Sequence, residues 1–267
     1  MTGSQRWLLL DYRDDLAERL YRAGGNPDPH RLFDDTELAS CADQSPLLIS
    51  AAENLSVAAD FIAQPESWAG LQIDSAQPVQ AVLQHLRHIL VIGFDGERKG
   101  VLRYSSPRTA SYFFPAVEES ALPIWLGPIR RLCWHAATWR ESAVQQTHWC
   151  SVENLDADQW RPLAERDGLH LGKSQTEALQ HQQVEKFLFY WWQKQSRLSF
   201  DEAFVYLDEG MQHGFLSADS LSRYLEIRSI YQVAMPPITL PHGGDEVRLD
   251  YLKTSLERSA TDKERHA

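Results

Sequence analysis

The sequence predicts an α+β or α/β protein. An N-terminal lobe, residues 1–154, carries a mixed sheet with flanking helices, and an all-helical lobe, residues 155–267, ends in a flexible polar tail. Three observations lead there. Up to about residue 152, short apolar runs rich in β-branched side chains alternate with short helical periods. Around residues 89–108 the pattern reads as strand, turn, strand and then helix. After Leu155 the periods lengthen, and Asp156-x-x-Gln159, Ser174-x-x-Glu177 and Ser199-x-x-Glu202 each resemble a capping box opening a helix.

Taken in order, residues 7–10 read as a buried first strand and residues 14–21 as a helix with Leu16 and Leu20 inward. Gly24-Gly25-Asn26-Pro27-Asp28-Pro29 then breaks the chain. Leu32-Phe33 forms a short apolar anchor, Thr36 caps a brief helix, and residues 47–49 form a second strand. Leu55, Ala58, Ala59 and Ile62 recur at helical spacing, which predicts one apolar face of a helix that stops at Pro65. Residues 68–73 make a third strand, and Ser75 and Pro78 open a helix ending near His88. Residues 89–94 and the strand resuming at Val101 form a hairpin, with Asp95-Gly96 and Gly100 supplying the turn chemistry. Ser106 is placed to cap a helix whose first residue is Pro107, because that position needs no amide hydrogen. Its inward residues are Ala110, Phe113, Phe114 and Val117.

Residues 122–128 are a proline-bounded connector, and residues 131–136 and 144–152 read as further strands with Trp134, Trp139 and Trp149 packing the sheet's flank. In the helical lobe a long helix covers about residues 175–196. Gly214 closes the third helix, and Ser217 opens a fourth presenting Leu221, Tyr224, Leu225 and Tyr231. Pro236-Pro237, Pro241 and Gly243-Gly244 form a linker before a last amphipathic segment, residues 247–256, and a polar end, residues 259–267.

Composition narrows the function. A net charge of -11 disfavours phosphate binding, so nucleic acid is not an expected partner. Cys41, Cys133 and Cys150 are odd in number and lack a C-x-x-C spacing, which predicts reduced thiols, a cytoplasmic location and no structural zinc. No apolar run approaches the roughly 20 residues of a membrane span, and residues 7–10 are too brief for a signal peptide.

The chemistry-bearing patterns are weak. Gly168-x-x-x-Gly172-Lys173-Ser174 imitates a phosphate-binding loop but is one residue short between its glycines. His85 and His88 stand one helical turn apart without a carboxylate or cysteine to complete a metal set, and read as a solvated or capping pair. No G-x-S-x-G elbow is present, and Cys133 and His135 lie on one expected strand. The reading is therefore of no enzyme, no cofactor and no metal. Two groups remain as partner-binding candidates. One is Arg87 with Arg103, Tyr104 and Arg108, the last three bracketing the turn into the Pro107 helix; the bland alternative is a scaffold tying that corner together. The other is Phe189, Trp191 and Trp192, part of six consecutive large apolar residues that one helical stripe cannot bury.

The strand, Arg103-Tyr104, and Pro107-Arg108 opening a helix resemble the signature of the type VI secretion adaptor-chaperone family, called Tap or Tec. Leu10-Asp11, Leu32-Phe33-Asp34, Thr36-Glu37, Pro46-Leu47, residues 68–71 and His85-Leu86-Arg87 fall in the family's order upstream. Downstream follow Gly127-Pro128, Gly214-Phe215-Leu216-Ser217 and Tyr224-Leu225. The family usually has Asp where this chain has Ser106, which can cap a helix but cannot pair with an arginine. The resemblance implies a non-catalytic adaptor that binds a cognate toxic effector and assists its loading onto the VgrG spike. The alternative is a hydrolase or transferase whose site is assembled from residues distant in sequence. A weaker third reading makes the segment around Gly214 a DNA-binding helix-turn-helix, which the acidic balance opposes.

Overall fold

Strand β1 (Gln5–Leu10) is apolar on both faces, with Trp7 and Leu9 on one and Leu8 and Leu10 on the other, and all four are buried. A strand of this kind belongs inside a sheet with both faces covered. In the computed structural model, which describes residues 4–23, 27–94, 98–162, 168–195, 197–232, 236–237 and 239–266, β1 is bonded on both sides. Helix α1 (Leu16–Arg22), β2 (His30–Arg31) and β3 (Leu47–Ser50) follow it. Next come α2 (Leu55–Ala63), α3 (Pro65–Trp68), β4 (Gly70–Ser75) and α4 (Val79–His88). The hairpin β5 (Val91–Phe94) and β6 (Arg98–Val101) precedes α5 (Pro107–Phe113) and α6 (Leu122–Leu126). Strand β7 (Arg131–Ala136), α7 (Trp139–Ala143) and β8 (His148–Glu153) complete the strand-bearing part.

Six strands form one sheet in the order β2-β3-β1-β4-β7-β8, and β5-β6 form a separate two-stranded ladder. The expected mixed sheet is antiparallel at every described ladder. The connection α2–α3 does join like-directed strands, as strand-helix alternation predicts. Strand β1 sits between those strands, antiparallel to each, so they never pair. Two cores flank the sheet. Trp7, Leu9, Leu71, Ile73, Leu132 and Trp134 face α4, α5 and α6, while Leu8, Leu10 and Ile49 face α1, α2 and Trp68.

Several expectations need correction. Helix α2 buries Val57 and Phe61, whereas Leu55 is 72% and Ile62 53% exposed. The i,i+4 pair with the larger ring reaches Trp68, and it displaces the face chosen from apolar spacing alone. Residues 144–152 are not one strand: Thr138 and Glu141 form a reciprocal capping box for α7, and only His148–Glu153 are extended. Asp156 opens no more than a 3-10 turn, and Ser174 lies inside its helix rather than before it. The turn residues Asp95-Gly96 and the breaker residues Gly24-Gly25-Asn26 lie outside the described residues. His85 is buried rather than solvated, with Nε2 2.9 Å from the Trp125 carbonyl oxygen.

By its contacts the chain divides into two units, Met1–Gln182 and Gln183–Ala267. In the first, residues 168–182 add Leu169, Leu171 and Leu179 to the α4–α6 core, and Gly93 bonds to the backbone of Leu169 and Leu171. The division falls within α8 (Lys173–Trp192). The second unit contains α9 (Phe200–Gln212), α10 (Ala218–Ile230) and α11 (Asp245–His266). Ser199 and Glu202 form the expected capping box. Helix α9 ends in a Schellman turn, with Gly214 at φ +80° and bonds from Phe215 N–H to Gly210 and from Gly214 N–H to Met211. Ser217 caps α10, whose Leu221, Tyr224 and Leu225 are buried. Helix α11 continues past Leu256 to His266, over most of the residues read as a polar tail, and Lys253 pairs with Glu257 just before them.

Candidate functional site

The corner between β6 and α5 holds three of the residues singled out above, Arg103, Tyr104 and Arg108. Tyr104 is buried and donates its hydroxyl to the Leu86 carbonyl at 2.7 Å, and burial holds its phenol well above the ordinary tyrosine range. Arg103 reaches Asp11 at 3.2 Å, and Ser105 donates to the same carboxylate oxygen at 2.8 Å. Leu10-Asp11 and Arg103-Tyr104, distant in sequence, thus meet at the end of β1.

Arg87, on the last turn of α4, donates to the carbonyls of Arg31 and Leu32 at 3.1 and 3.3 Å and pairs with Asp35 at 3.0 Å. Arg108 stacks on the Trp139 ring with its guanidinium carbon 4.0 Å from the centroid. Its Nη1 lies 3.0 Å from each of the Ala137 and Thr138 carbonyls and 2.8 Å from Ser142 Oγ. A planar fork directed at backbone carbonyls fixes loops, and each arginine here spans segments the sequence keeps apart. The arrangement is therefore a set of ties from this corner to β1, α4 and the β7–α7 turn, with Arg87 separately joining α4 to β2.

Ser106, Pro107 and Arg108 also line a cleft of about 540 Å³ together with Pro65, Glu66, His135 and Ser142. A second cleft, of about 530 Å³, shares Pro65, Glu66 and His135 and is closed by Ile62 and Trp149. The His135 and Trp149 rings meet edge-on at 5.4 Å, directly opposite each other on β7 and β8. The indole of Trp149 is 43% exposed, and Phe61 touches it at 6.0 Å. The sequence places Trp149 against the sheet's flank and Ile62 on a helical stripe, and it gives Glu66 no role. The available signal was that Trp149, Ser151 and Glu153 alternate onto one face of a strand.

The aromatic candidates lie in the second unit. Trp191 is buried, Trp192 donates its indole N–H to the Leu198 carbonyl at 2.8 Å, and Phe189 packs against Trp192 and Phe200. Tyr190 is the exposed member of the run. Among the described residues no group of three or more His, Cys, Asp or Glu side chains is placed to hold a metal ion, and no helix is long and apolar enough to cross a membrane.

In comparisons with known proteins, residues 6–123 match the family model of a domain of unknown function, DUF4123. No curated protein and no solved structure matches the chain.

Proposed function

We propose that the protein is a non-catalytic adaptor-chaperone of type VI secretion, which holds a cognate toxic effector in the cytoplasm and assists its loading onto the VgrG spike. The observation that carries this reading is the ordered set of short motifs from Leu10-Asp11 to Gly127-Pro128, which resembles the adaptor family. All but the last of them fall within the span that matches the domain of unknown function. The corner residues suit such a role as scaffold: their hydrogen bonds hold the loops beside a sheet that offers partly exposed aromatic surface at Trp149. An adaptor works by affinity and selectivity, and neither requires a nucleophile or a metal.

The test is affinity capture of the tagged protein from a host expressing the secretion system, with mass spectrometry of what stays bound at moderate salt. Recovery of a toxin-like protein with a spike component is the expected result. Recovery of neither by a well-folded protein overturns the reading and directs attention to the hydrolase or transferase alternative.

A further inference from the structure

We propose that the outer edge of β8 is the docking site for an extended, basic segment of the partner protein, which adds to the sheet as a seventh, antiparallel strand. This inference rests on the adaptor reading for the existence of a protein partner.

The six-stranded sheet has two ends. One is β2, two residues long and too short to template another strand. The other is β8, six residues paired only with β7 in continuous register from Arg131–Glu153 to Ala136–His148. The Asn154 N–H bonds the Arg130 carbonyl at 2.8 Å, in line with that register, which fixes its phase. In an antiparallel ladder the bonded residues alternate, so His148, Cys150 and Val152 turn their backbone groups to β7 while Trp149, Ser151 and Glu153 turn theirs outward. None of those outward groups has a hydrogen-bond partner among the described residues. Exposed edges are ordinarily blunted by lysine, proline or a bulge, and His-Trp-Cys-Ser-Val-Glu has none of these.

Charge identifies what would fit. Arg6, Asp74, Arg131 and Glu153 stand directly opposite one another on β1, β4, β7 and β8, forming a row of alternating sign across one face. Within it Arg6 pairs with Asp74 at 2.9 Å and Arg131 with Glu153 at 3.5 Å. The row ends at the edge on Glu153, whose side chain is 56% exposed, so the next position outward calls for a cation. Four residues earlier on the same face is Trp149, beside the 530 Å³ cleft with Ile62 and Pro65, which suits an apolar side chain. An antiparallel strand laid on this edge would read Lys or Arg opposite Glu153, a small polar residue opposite Ser151, and an aromatic or aliphatic residue opposite Trp149. The backbone supplies affinity and the alternate side chains supply selectivity.

The test is to pan a random library of displayed peptides about twelve residues long on the full-length protein, since a bound strand covers about half that length. The expected result is enrichment of Lys or Arg four residues before an aromatic or aliphatic residue, with binding weakened about tenfold or more by Ser151→Pro. That proline removes an outward N–H and leaves the β7 ladder intact. Should Ser151→Pro fail to fold, Glu153→Lys serves, and it should exchange the selected cation for Asp or Glu. Absence of the pattern, or its persistence in either folded variant, overturns the proposal. So does a concentration-dependent dimer of the native protein that Ser151→Pro abolishes, because the edge would then be filled by a second copy. Failure of the adaptor reading would appear separately, as empty capture from the host.

Discussion

His85 sits where burial favours the neutral imidazole. Burial lowers its pKa from 6.5 to about 4, partly opposed by the bond to the Trp125 carbonyl and slightly aided by His88. The unfolded chain takes up the proton first, so the stabilisation is complete above about pH 6.5 and declines as pH falls toward 4, by about 3 kcal/mol in total. Urea unfolding at about pH 7 and about pH 5 should differ by roughly 2 kcal/mol from this group, and His85→Gln should flatten that difference. Gly127 belongs to the same device: its φ is +54°, and an added Cβ would stand 2.4 Å from the His85 ring. Gly127→Ala is expected to destabilise by more than about 2 kcal/mol, read as a lowered melting temperature. The two ties from the corner should separate by burial. Arg108→Ala removes the bonds to the Ala137 and Thr138 carbonyls and the stacking on Trp139, and should cost about 2 kcal/mol. Arg103→Ala breaks an exposed pair and should cost under about 1 kcal/mol. Residue identities of this kind were legible from the sequence where two short motifs carried them, as with Tyr104 and Arg108. His85 was not, because periodicity shows which face of α4 is buried but cannot show that a carbonyl from Trp125 waits there.

At the scale of elements, α9 and α10 pack through a polar seam. Buried Arg228 pairs with Glu209 at 2.8 Å and lies over the Tyr206 ring, and the Tyr224 hydroxyl donates to the same Glu209. Burial, then that hydrogen bond, raises the Tyr224 phenol far above its usual range. Glu209→Ala takes the counter-charge from the buried Arg228 guanidinium and should cost about 3 kcal/mol or more in chemical unfolding, whereas Glu209→Gln should cost less. Gly210 lets the helices approach, since a Cβ there would meet the Tyr224 ring at 3.0 Å. These helices were readable because Ser199, Gly214 and Ser217 act locally, each bonding within a few residues of itself. Helix α2 was misread because which stripe of Leu55–Ala63 turns inward depends on Trp68 and the sheet, which spacing does not contain.

For the whole molecule, the charge of -11 should make capture of a basic partner salt-sensitive, with affinity falling as ionic strength rises. The domain division is open to a direct measurement. Leu169, Leu171 and Leu179 pack on the first unit's core, so a chain ending at residue 182 should melt cooperatively. A chain ending at residue 154 should lose several kcal/mol or fail to fold. Strand order lies beyond single-sequence reading for the same reason the division does: both depend on pairings between residues far apart. That remoteness has a kinetic side. Strand β1 is made before either of its neighbours, and its partner β4 is complete only at Ser75. Until then its Leu-Leu-Leu run has no second neighbour, and loop closure must precede the reward of pairing. The nascent chain thus carries that run without its second neighbour until Ser75 has been made, and a lesion in β1 should lower the yield of synthesis as well as weaken the finished protein, whose cores its side chains enter.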